Sequence, residues 1–138
     1  MKRAFWHDLR RLKKLDMSPE EFVANHRTTI RFEKTGEDFQ LQYLSPRPET
    51  NLVSEVVTPD DVKAALNLFL NDRVAQTQLQ AWANLLIMME EFDFPVVESS
   101  RNLVSTTLHL IATPEINGEL TSETVQYYRS CLEDEREP

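Results

Sequence analysis

The residues able to do chemistry are few, and their spacing decides most of what they can be. Three histidines, His7, His26 and His109, stand far apart, and Cys131 is the single cysteine. A protein metal centre needs ligands at short, defined intervals, as in a helical HExxH pair, a cysteine pair or an aspartate-rich calcium loop. None of these patterns occurs, so the histidines read as surface or hydrogen-bonded core residues and no metal is expected. A nucleophile with its base is no better supported. Cys131 falls late in the last amphipathic segment, beside an acidic tail, and burial is its simpler role. Two glycines, Gly36 and Gly118, are too few for a phosphate-cradling loop or a nucleophile elbow, so no cofactor is implied.

Carboxylates are the remaining candidates, because acid and base roles can be set by environment alone. Asp60–Asp61 and Glu90–Glu91 are adjacent in sequence, but helix neighbours point about 100° apart and do not share a site. The helix dipole accounts for the first pair, which opens a helix. Glu90, Glu91, Asp93 and Glu98 are harder to explain. They gather around an expected helix end, where negative charge opposes the dipole at a cost of up to about 1 kcal/mol per exposed group. These four are the predicted partner-binding residues; no catalytic residue is assigned, and the chain is not expected to be an enzyme.

Charge supports a binding role. Residues 1–34 carry nine Lys or Arg against five Asp or Glu and residues 35–138 carry six against eighteen, so +4 and −12 make the net −8. An acidic surface repels nucleic acid and attracts basic proteins over roughly a Debye length. The basic start, with Arg3, Arg10, Arg11, Lys13 and Lys14, could meet phosphates, but Phe5, Leu9 and Leu12 form a stripe that docks the same helix on its own core. Its cations then face the acidic remainder of the chain or a second copy. No direct nucleic-acid partner is expected. The longest apolar run, Leu85 to Met89, is far below the roughly 18 residues a membrane span requires, and Asp8, Arg10 and Arg11 interrupt any signal peptide. A lone cysteine fits a reducing compartment, so the expected location is cytoplasmic.

The elements that position these residues follow from periodicity and punctuation. A helix is predicted from Lys2 to Leu15, and a second from Ser18, with Ser18, Pro19 and Glu21 as capping box and first turn, to about His26. The period then changes to two: Ile30 and Phe32, then Phe39, Leu41 and Tyr43, flank a Gly36-containing loop from Lys34 to Asp38 as a β-hairpin. Two prolines break regular structure between Ser45 and Asn51, and Leu52 to Val57 reads as a third strand. Thr58-Pro59-Asp60-Asp61 opens a helix carrying Val62, Ala65, Leu66, Phe69 and Leu70. After a break at Asn71-Asp72-Arg73, a central helix carries Leu79, Trp82, Ala83, Leu86 and Ile87 and stops at Phe92 to Pro95. Ser99 or Ser100 opens the next, with Leu103, Val104, Thr107, Leu108 and Ile111 inward and Pro114 as its stop. A turn through Gly118 leads to a last helix capped at Thr121 to Thr124, with Val125, Tyr128 and Leu132 inward and a frayed tail from Glu133.

Two stretches, Gln80-Ala81-Trp82-Ala83-Asn84-Leu85-Leu86 with Glu90-Glu91-Phe92-Asp93, and Ala112-Thr113-Pro114-Glu115-Ile116-Asn117-Gly118-Glu119-Leu120-Thr121, together resemble small bacterial immunity proteins. Such proteins are encoded beside polymorphic toxins, including those of contact-dependent growth inhibition. The likeness covers roughly Thr58 to Leu132, and its motifs are structural in character. It implies a cytoplasmic protein that binds one toxin domain and blocks it. Many such toxins are basic nucleases, which an acidic inhibitor would match electrostatically.

The reading is therefore an α+β, predominantly helical single domain with one β-hairpin: N-terminal helices over 1–27, hairpin and extended segment over 28–57, helical core over 58–132 and tail over 133–138. The expected function is neutralisation of a basic toxin domain. Two alternatives stand beside it: an acidic adaptor docking through Met88–Met89 and Phe92–Phe94, and a carboxylate enzyme around Glu90, Glu91 and Asp93.

Overall fold

The structure is a computed structural model that describes residues 2–36, 38–44 and 54–138. Among the described residues seven helices and four short strands follow one another: α1 (Lys2–Lys13), α2 (Pro19–Asn25), β1 (Ile30–Thr35), β2 (Asp38–Tyr43), β3 (Glu55–Val56), α3 (Pro59–Leu70), α4 (Gln76–Met88), β4 (Phe92–Asp93), α5 (Glu98–Ala112), α6 (Pro114–Asn117) and α7 (Ser122–Glu133). This is the expected α+β, mostly helical domain with a hairpin. The proline-broken segment at 45–51 lies outside the described residues.

The core is one apolar cluster to which the helices contribute their predicted stripes. α4 is central: Leu79, Trp82, Ala83, Leu85 and Leu86 are all buried. α1 docks through Phe5, Leu9 and Leu12 as its spacing required. The Trp82 indole N–H donates to the Leu12 carbonyl (2.8 Å), tying α4 to the end of α1. The cations of α1 meet the acidic remainder of the chain in part: Arg10 and Lys13 both reach Glu55 (3.4 and 3.3 Å), and Lys13 also faces Asp61 (3.8 Å). Between α1 and the exit of α2, His26 Nε2 lies 2.7 Å from Asp8 Oδ2, and both residues are buried.

With so few glycines, three of the helices, α1, α3 and α7, end on a left-handed residue that is not glycine. Leu15, Asp72 and Glu135 take left-handed φ of 58°, 58° and 55°. After α1, the Leu15 N–H returns to Leu12 O and the Asp16 N–H to Arg11 O, and α3 ends alike with Asp72 to Phe69 O and Arg73 to Leu68 O. These are Schellman closures in which a side-chain-bearing residue accepts a conformation costing about 1–2 kcal/mol. Burial of Leu15 offsets that cost at the first. Glycine is kept for α6, where Gly118 sits at φ 104°, and for the hairpin turn, where Gly36 sits at φ 65°.

Several boundaries differ from the sequence reading. α1 stops at Lys13, because the left-handed Leu15 closes it. Ser18 accepts the Glu21 N–H (3.1 Å) as predicted, while Thr58 and Asp61 form the reciprocal capping box. The hairpin strands run closer to the turn than expected, pairing Thr35 with Asp38. Of the third strand expected over Leu52 to Val57, Leu52 and Val53 lie outside the described residues, and Glu55–Val56 form a strand parallel to Phe92–Asp93. The segment read as a helix stop is therefore also half of a small second sheet. α5 begins at Glu98, earlier than either serine, and its N-cap position is Val97. Pro114 stops α5 and also starts α6, a role suited to proline at a first helical position. The tail after α7 folds back: the Arg136 N–H donates to Cys131 O (3.0 Å), its guanidinium lies 5.9 Å from the Tyr127 ring, and Thr106 donates to Glu137 (3.1 Å).

Candidate protein-docking surface

The four carboxylates singled out from sequence lie on or beside the connection from α4 to α5, and the structure divides them. Met89 and Phe92 are buried and draw the connection back onto the core. Glu91, between them, turns inward: it is 6% exposed, and the Tyr43 hydroxyl donates to its Oε1 at 2.6 Å. The Glu90 N–H donates to the same Tyr43 oxygen (3.1 Å), while the Glu90 residue itself is exposed. Asp93 is exposed and accepts from the Ser54 hydroxyl across the β3–β4 pair. Glu98 opens α5, so its charge stands at the positive end of a dipole, where it is stabilising. The sequence argument that all four charges oppose a helix C-terminus thus fails for Glu98. The idea of an exposed acidic edge fails for Glu91, because its carboxylate holds the hairpin to the core.

The apolar part of this surface differs from the expected Met88–Met89 and Phe92–Phe94 patch. Met89 and Phe92 are core residues, and Met88 and Phe94 are only partly exposed. The exposed pair is Val96 (92%) and Val97 (64%). A serine, threonine, aspartate or asparagine is favoured at the N-cap, and an apolar residue before the cap usually packs on one in the second turn. Here Val97 holds the cap with no side-chain bond to the helix, and the position that would receive Val96 is Arg101. The Arg101 guanidinium instead donates to the Val96 carbonyl (3.2 Å). Both local rules are broken where two β-branched side chains meet solvent. The signal is legible in the sequence, where two β-branched residues, Val96 and Val97, stand immediately before the Glu98–Ser99–Ser100 helix start. Breaches of this kind without local compensation are expected where function overrides stability.

Beside this surface a cleft of about 430 Å³ opens between the first turns of α3 and α5 and the end of α7, lined among others by Asp60, Lys63, Ser99, Ser100, Glu133 and Glu135. Lys63 pairs with Asp60 (3.1 Å), and Arg129 with Glu133 (3.4 Å). Packing or hydrogen bonding accounts for the cysteine and two of the three histidines, and His7 is exposed. Cys131 is fully buried, His26 is paired with Asp8, and the His109 ring contacts its own helix at Ser105 O (2.7 Å). Burial pushes the Tyr128 phenol above its ordinary value, and the neighbouring Tyr127 acts in the same direction. Among the described residues no group of three or more His, Cys, Asp or Glu is placed to hold a metal, and no helix is long and apolar enough to cross a membrane.

The two stretches that carried the immunity-protein likeness meet in space. Gln80 Nε2 donates to the Ala112 carbonyl (3.3 Å) and reaches Glu115 (3.5 Å), and Asn84 Nδ2 donates to the same Ala112 carbonyl (3.2 Å). Buried amides of α4 thus satisfy the carbonyl end of α5, which would otherwise lack an intrahelical partner. Both motifs are parts of one joint, in keeping with their structural character. No family model, no curated protein and no solved structure matches the chain.

Proposed function

We propose that this chain is a non-catalytic, protein-binding inhibitor of the immunity type, acting in the cytoplasm on a basic toxin domain. The observation that carries the reading is the exposed Val96–Val97 pair on the same connection that carries the exposed acidic residues Glu90, Asp93 and Glu98. An apolar centre that is desolvated on contact supplies affinity, and a charged rim supplies association rate and specificity. Acidic residues beside the valines favour a basic partner, and Arg101, bonded to the Val96 carbonyl, adds one cation to the connection. The family named by the resemblance joins these features to toxin inhibition.

The experiment is co-expression and co-purification with the toxin domain encoded beside the gene. The expected result is a stoichiometric complex and rescue of growth. Replacing both valines by lysine adds two charges at positions that do not support the core, so the expected effect is at least a ~10-fold loss of affinity with unchanged folding. No complex and no rescue would dismiss the inhibitor reading. A complex indifferent to the double lysine variant would move the contact elsewhere.

A further inference from the structure

The hairpin carries a second, independent surface. The Leu44 N–H donates to the Thr29 carbonyl (2.9 Å), which makes Thr29 and Leu44 a hydrogen-bonded antiparallel pair. Alternation along the register then makes Arg31–Gln42, Glu33–Gln40 and Thr35–Asp38 the other such pairs. The N–H and C=O groups of Phe32 and Lys34 accordingly point away from β2, along the outer edge of β1. The Ile30 N–H is occupied by the His26 carbonyl (3.0 Å), which leaves the Ile30 carbonyl on that edge. Among the described residues this sheet has two strands only, so β1 is an unpaired edge. An edge of this kind is a template for a further strand.

We propose that the occupant is β1 of a second copy of this chain, antiparallel and related by a two-fold axis at Phe32. In that register each Phe32 exchanges both backbone hydrogen bonds with its equivalent, and each Lys34 N–H meets the Ile30 carbonyl of the second copy. Arg31 falls opposite Glu33 of the second copy, twice, in the non-hydrogen-bonded pairs where side chains approach most closely. The charges select this register over its neighbours. A shift that keeps the outward amides paired sets either Arg31 against Arg31 or Glu33 against Glu33. Arg31 and Glu33 are both exposed and already attract one another along the strand at 3.9 Å. On the opposite face Phe32 stacks on Phe39 (centroids 5.1 Å apart, planes at 16°), and the two-fold axis would continue that aromatic row from one copy into the next. The surface is self-complementary, as a two-fold interface must be.

The test is mass in solution by light scattering or sedimentation from micromolar to millimolar concentration, against 16.1 kDa for one chain. The expected result is a concentration-dependent shift to twice that mass. Arg31→Glu alone and Glu33→Arg alone each create two like-charge pairs and are expected to weaken the dimer about 10-fold or more. Mixing the two single variants restores attraction in both pairs, so a heterodimer is expected at the wild-type concentration. Lys34→Pro removes an outward N–H without removing a hairpin bond and is expected to give a folded monomer. A monomer at every concentration overturns the proposal. So does a dimer indifferent to the single charge changes, or one that mixing fails to rescue.

Discussion

Trp82→Phe removes an indole N–H and part of a ring from the place where α4 meets the end of α1. The Leu12 carbonyl that accepts from Trp82 also accepts the Leu15 N–H at 2.8 Å. It is therefore not orphaned by the change, and the hydrogen-bond loss is the net worth of one bond, about 1 kcal/mol, below the larger penalty of a buried unpaired group. Trp82 is fully buried, so the smaller ring leaves a void, which we set at about 1–2 kcal/mol, below the ~3–5 kcal/mol of full truncation. The expected destabilisation is about 2–3 kcal/mol, which at this chain length lowers the melting temperature by roughly 8 °C. Urea unfolding followed by far-ultraviolet circular dichroism measures it, with an unchanged slope as the sign that the compactness of both states is preserved. Trp6→Phe, at a half-buried position on α1, is the comparison and is expected to cost under about 1 kcal/mol. A Trp82→Phe protein within about 0.5 kcal/mol of wild type would refute the assignment of Trp82 as the tie between the two helices.

Two further outcomes follow from buried polar groups. Asp8→Ala leaves the His26 ring without its carboxylate between Phe5 and Phe22, whose ring centroids lie 5.2 and 4.8 Å away, and is expected to cost about 2–3 kcal/mol in thermal unfolding, with Asp8→Asn costing less. For Tyr128, whose phenol is raised above 10.0 by burial first and by Tyr127 second, the native state holds its proton longer than the unfolded state. Its contribution is fully present below pH 10.0 and is lost as pH rises from there through the folded value, so stability should fall with alkaline pH more steeply in wild type than in Tyr128→Phe. Ultraviolet titration of the phenols checks the same group, since the latest-ionising component should vanish in that variant.

Periodicity is enough to mark the inward faces of the long helices, because an amphipathic stripe records which side of an element the core must occupy. Leu103, Val104, Thr107, Leu108 and Ile111 on α5, and Val125, Tyr128 and Leu132 on α7, are buried where the spacing put them. The caps at Ser18, Thr58 and Thr121 were readable because each uses a side-chain oxygen within three residues of the amide it serves. The end of α1 was not: nothing local distinguishes Leu15 from a helical leucine, and its left-handed turn is held by packing of its side chain.

The acidic edge shows the same boundary most clearly. Sequence established that Glu90, Glu91, Asp93 and Glu98 are close along the chain and that the surface after residue 34 is negative. It could not say that Glu91 turns inward, because the hydroxyl it meets belongs to Tyr43, on a strand far away in sequence. Nor could it say that Phe92–Asp93 pairs with Glu55–Val56, since two-residue strands carry no period of their own. Local geometry is written in neighbouring residues and is legible there. Which carboxylate turns inward, and which valines reach solvent, is decided only when distant segments compete for the same space.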